Sequence, residues 1–74
     1  MQLKNSGLEP GEWLVVKEGA PPDLRPVTIT IGNDDYPAFI EENDIMVRFP
    51  HGHDRDSVLQ VAVNGVNVGR VVAR

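Results

Sequence analysis

The chain has 74 residues, with seven Lys plus Arg against eleven Asp plus Glu, two His, no Cys and a formal net charge of −4. That length allows one small domain with a thin core, held by tight packing or a partner subunit because no disulfide is available. The acidic balance argues against a general nucleic-acid binder, and the longest purely apolar run, Trp13–Val16, is far short of the ~18 residues of a membrane span.

Val, Ile and Thr together number seventeen, against four Ala, and six Pro and seven Gly punctuate the chain. This composition favours short strands and tight turns over helices. Residues 1–12 are a polar segment, partly disordered, that ends in the turn signal Pro10-Gly11; a single β domain occupies 13–74. Trp13 to Lys17 reads as a short strand, apolar at four successive positions and so expected to be buried on both faces. Trp13, which opens it, is expected in the core or as a plug over one barrel end. Residues 18–26 carry three prolines and read as an extended loop.

Val27-Thr28-Ile29-Thr30-Ile31 alternates strictly, which puts Val27, Ile29 and Ile31 on one face and both threonines on the other. Gly32 to Asp35 supplies a hairpin loop, and Tyr36-Pro37-Ala38-Phe39-Ile40 resumes the alternation. Pro37 cannot donate to a ladder, so this strand belongs on an edge or at an irregularity. The competing reading is one helical turn over 36–42 with Asp35 as its N-cap. Glu41 to Asp44 forms the next turn, and Ile45 to Phe49 alternates again.

Pro50 to Asp56 is a loop. Ser57–Val63 and Val66–Ala73 make a final hairpin around Asn64-Gly65, whose two-residue turn pairs Val63 with Val66 and Val61 with Val68. Continued without interruption, that register turns Arg70 onto the apolar face opposite Leu59. A bulge at Gly69 restores Val71 to that face and sends Arg70 outward. The fold class is therefore all-β, a small five- to six-stranded antiparallel barrel or two-layer sandwich with at most one short helical turn. Val15, Ile29, Val47, Val61 and Val63 form the expected core.

The one dense set of candidate metal ligands is His51, His53, Asp54 and Asp56, with Arg55 among them. Imidazole and carboxylate donors suit Zn or a related ion, but all ligands would have to come from six residues, and a polar loop accounts for them as well. The acidic stretches Asn33–Asp35 and Glu41–Asp44 bracket one strand, ~17 Å apart, too far for a glycoside-type dyad. No nucleophile, phosphate loop or cofactor signature is present, so the expected function is not enzymatic and needs no cofactor.

Phe39 and Pro37 fall on the face opposite Tyr36, Ala38 and Ile40. An outward Phe on an edge strand is a contact patch for another protein, the competing reading being that the loop 18–26 folds over it. The expected role is a protein-binding or assembly module: an accessory, structural or inhibitory factor of viral or mobile-element type. Its contact runs through Tyr36, Pro37, Phe39, Glu41 and Glu42, and the partner is another protein or a second copy. A metal-binding domain at 51–56, and nucleic-acid contact through Arg48, Arg55, Arg70 and Arg74 gathered on one face, are the alternatives. A cysteine-free chain without an apolar leader fits the cytoplasm or a particle assembled inside the cell.

Overall fold

The computed structural model describes residues 1–17 and 26–74, and among them every regular element is a strand. In chain order these are β1 (Gln2–Leu3), β2 (Gly7–Leu8), β3 (Trp13–Lys17), β4 (Thr28–Ile31), β5 (Asp34–Pro37), β6 (Phe39–Glu41), β7 (Asp44–Arg48), β8 (Val58–Val63) and β9 (Val66–Ala73). They form two sheets, in the orders β1-β3-β7-β6 and β2-β9-β8-β4-β5, one of them curled into a half-barrel. The all-β class is as expected. The proline-rich loop, apart from Pro26, lies outside the described residues.

The strands are more numerous than alternation reveals, for two physical reasons. β1 and β2 are too short to show a period, yet β1 pairs with β3 and β2 with β9. The β2–β9 pair is parallel, in an otherwise antiparallel fold. It is reinforced by Val72 donating to the Ser6 carbonyl and Arg74 to the Leu8 carbonyl, each at 2.9 Å. Leu8 is thereby carried into the core from a segment that reads as polar.

The second reason is that the run 36–40 divides at Ala38. Its first part, β5, pairs with β4 and its second part, β6, pairs with β7, so one stretch of chain passes from one sheet to the other. Ala38 itself donates to the Val27 carbonyl at 2.9 Å. No helical turn forms over 36–42. Pro37 sits on an edge strand, as a residue without an N–H must.

The core between the sheets contains Leu8, Leu14, Val16, Ile29, Ile31, Ile45, Val47, Phe49, Val61, Val63, Val71 and Ala73, with no buried polar residue among those described. Ile29, Val47, Val61 and Val63 are where periodicity puts them. Val15 and Trp13 are not. β3 buries Leu14 and Val16 on one face only, so the two-residue period turns Trp13, Val15 and Lys17 outward. The expectation of burial on both faces fails because a run of apolar residues carries no phase of its own.

The last hairpin forms as its sequence demands. Asn64 and Gly65 both have positive φ, 47° and 84°, and Val63 pairs with Val66. Positive φ at both central residues defines the turn whose twist matches its strands. The ladder then slips: Ala62 faces Asn67 and Val61 faces Gly69, leaving Val68 unpaired. Gly69 takes φ 141° there, within 3.2 Å of the Leu3 side chain measured from an ideal Cβ position. Beyond the bulge Leu59 faces Val71, and Arg70 is turned out opposite Gln60.

Candidate functional site

Among the described residues β5 and β6 are each the outermost strand of a sheet, so the stretch 34–41 runs along an edge. The two halves differ in character. β5 carries Asp34, Asp35 and Pro37, the residue types that blunt an edge against stray pairing. The Thr30 hydroxyl donates to an Asp35 carboxylate oxygen at 2.6 Å, which ties that side chain across the ladder. β6 instead presents Phe39, 63% exposed, and Ile40, 40% exposed.

The ladder explains both exposures. Phe39 faces Met46, and Val15 faces the same Met46 from the other side, so all three point away from the core. Ile40 faces the buried Ile45 and lies on the inner side of the sheet, but the open edge leaves it partly uncovered. Trp13, paired with Arg48, adds its ring to the outer face. Its centroid lies 6.0 Å from that of Phe39, with the planes at 89°. The Arg48 guanidinium carbon is 3.9 Å from the Trp13 ring centroid, and Arg48 also donates to the Gly11 carbonyl at 2.9 Å. Phe39, Trp13, Met46 and Arg48 thus form one outer patch. Aromatic residues, Met and Arg are the types enriched where proteins meet.

Tyr36 points the other way. It faces Ile29 and packs half-buried against the core, where it anchors β5 from within. Burial raises its phenol pKa above the ordinary value, and the charge of Asp34 adds to the effect. Pro37 is exposed beside Phe39. Glu41 ends β6, opposite Asp44, and Glu42 occupies the turn with φ 54° and its side chain in solvent. Of the residues proposed for the contact, Pro37, Phe39, Glu41 and Glu42 are therefore outward, and Tyr36 supports them from inside.

The candidate ligands of the loop 51–56 do not gather three to a site. Among the described residues no three His, Asp or Glu side chains gather where they could hold one ion. His53 turns toward the core and packs on Phe49, ring centroids 5.9 Å apart, while His51, Asp54 and Asp56 stand in solvent. The loop closes on itself for backbone reasons: Ser57 N–H donates to the Asp54 carbonyl at 3.2 Å, and Asp56, at φ 70°, donates its N–H to the Ala73 carbonyl at 2.7 Å.

Of the four arginines considered for nucleic-acid contact, only Arg55 and Arg74 come together. Arg48 lies on the outer face of one sheet and Arg70 on that of the other. Arg55 and Arg74 share an open cleft of about 760 Å³ with Glu9, His53, Asp56 and Val72, where carboxylates offset the cations. No helix among the described residues is long and apolar enough to cross a membrane.

Trp13, Met46 and Arg48 are the members of the patch that sequence reasoning missed. The signal lay in the choice of phase for 13–17: once Leu14 and Val16 are inside, Trp13 must be outside. Comparison with protein-family models, curated proteins and solved structures finds no match to this chain.

Proposed function

We propose that this chain is a non-enzymatic protein-binding or assembly module whose contact runs along 36–42, with Phe39 at its apolar centre. The observation that carries the reading is the position of Phe39: largely in solvent, on an edge strand with no strand beyond it among the described residues. Exposed apolar patches on small proteins are costly in solubility and mark contacts. The neighbouring Trp13 and Arg48 support the reading, because their mutual stacking holds a broad surface ready at little further cost in side-chain entropy. Glu41 and Glu42 provide a charged rim, and Pro37 keeps the adjoining β5 edge from pairing indiscriminately.

The test compares the parent chain with Phe39→Ser. The variant is expected to melt like the parent and to lose its partner, whether that is a second copy, seen by sedimentation at micromolar concentration, or another protein captured on immobilised chain. A variant that binds as the parent does would remove Phe39 from the contact.

A further inference from the structure

We infer that the partner of this edge is an extended basic segment of another protein, which adds to β6 as a further strand and brings Lys or Arg against the acidic residues at its far end. The inference rests on the contact reading above and supplies the partner's chemistry. Among the described residues β6 is the open edge where apolar side chains and strand geometry coincide, the combination that strand addition uses. β5 is guarded by Asp34, Asp35 and Pro37, and β1 and β2 are two residues each.

Charge selects among occupants. Glu41, Glu42 and Asp44 surround the far end of β6, whereas Asp34 and Asp35 lie on β5 in the other sheet. Among the described residues, the cations of the same sheet as β6 balance its acidic set only at Asp44, which Lys17 faces across the ladder, leaving Glu41 and Glu42. Arg48 is committed to the Trp13 ring and the Gly11 carbonyl, and Lys17 is paired opposite Asp44 on the distant side of β7. A second copy docking edge to edge would add another such acidic set to the same short contact. A strand with Lys or Arg beside its apolar residues would instead meet Phe39 and Ile40 with apolar contact and the carboxylates with opposite charge.

The probes are two short peptides, one alternating valine with lysine and the other valine with glutamate. Binding is read by fluorescence of Trp13, the single tryptophan, and by hydrogen-exchange protection of the Ile40 amide. The lysine peptide is expected to bind on the order of tenfold tighter or better at low salt. That advantage is expected to collapse between about 0.01 M and 1 M salt, as the Debye length falls from ~30 Å to ~3 Å. The double variant Glu41→Lys, Glu42→Lys is expected to reverse the preference. Equal binding of both peptides, or preference for glutamate, overturns the inference. A dimer of the free chain that Phe39→Ser dissolves overturns the basic partner but leaves the contact at 36–42 standing. Unchanged binding of the lysine peptide to Phe39→Ser overturns both.

Discussion

Phe39 meets Trp13 in a T-shaped contact, centroids 6.0 Å apart and planes at 89°, although the two residues belong to strands that never pair. They are brought together by β7, which has Met46 opposite Phe39 and Arg48 opposite Trp13. The geometry sets the positive edge of one ring against the negative face of the other, worth about 0.5–1.5 kcal/mol beyond buried area. Phe39 is 63% exposed, so its ring buries little area and the pair lies at the low end of that range. Phe39→Ser is expected to lower stability by under ~1 kcal/mol while visibly shifting Trp13 emission, measured by thermal melting and fluorescence on the same sample.

The final hairpin makes a sharper demand. A Cβ at Gly65 would meet nothing within 4 Å, so the obstacle to substitution is its φ of 84° alone. Gly65→Val is expected to cost more than ~1 kcal/mol, because a β-branched residue resists that conformation. Asn64 is held by reciprocal bonds with Thr28, its side chain accepting from the Thr28 N–H and its own N–H donating to the Thr28 carbonyl, both at 2.9 Å. Asn64→Ala loses the first bond and the tolerance for positive φ, and is expected to destabilise by about 1 kcal/mol or more. Urea unfolding of the two variants checks both values.

Core substitutions separate the expected from the unexpected part of the fold. Val61 is fully buried, so Val61→Asp places an unpaired charge inside and is expected to cost ~3 kcal/mol or more, enough to unfold a small domain. Leu8 is 1% exposed although its segment reads as polar. Leu8→Ala is expected to cost about 2–5 kcal/mol, as other buried leucines do, and denaturant titration reads it. Near-parent stability for Leu8→Ala would mean that β2 does not pack on β9.

Tyr36 gives a pH dependence with a definite sign. Its folded pKa lies above the ordinary 10.0, through burial first and Asp34 second. The folded state therefore retains the phenolic proton more strongly than the unfolded chain. The resulting stabilisation is fully present below pH 10.0 and is lost as pH rises through the folded value. Tyr36 is the only tyrosine, so tyrosinate absorbance reports it alone. The midpoint is expected above 10.0 in the folded protein, moving down in Asp34→Asn.

Local patterns were readable where the chain pairs with itself nearby. Asn64-Gly65 declared its own turn, and the clash between Arg70 and Leu59 in an unbroken ladder demanded a bulge where Gly69 supplies one. The outward position of Phe39 followed from alternation with Tyr36, Ala38 and Ile40. What alternation lacks is phase and distance. Four apolar residues from Trp13 to Val16 fit either face, and only pairing with β7 decides that Leu14 and Val16 are inside. Strands of two residues, such as Gln2–Leu3 and Gly7–Leu8, have no period to detect and exist because a distant strand offers a free edge. The patch of Trp13, Met46, Arg48 and Phe39 is assembled across three strands, so no sequence window contains it.

The most direct test of the contact is a quantitative comparison of parent chain and Phe39→Ser as baits, using differentially labelled extracts of the native host and matched melting curves. The account predicts that at least one protein is enriched on the parent and falls by on the order of tenfold or more on Phe39→Ser, with the two baits melting alike. The same proteins held equally by both baits, or a Phe39→Ser chain that melts far below the parent, would contradict it.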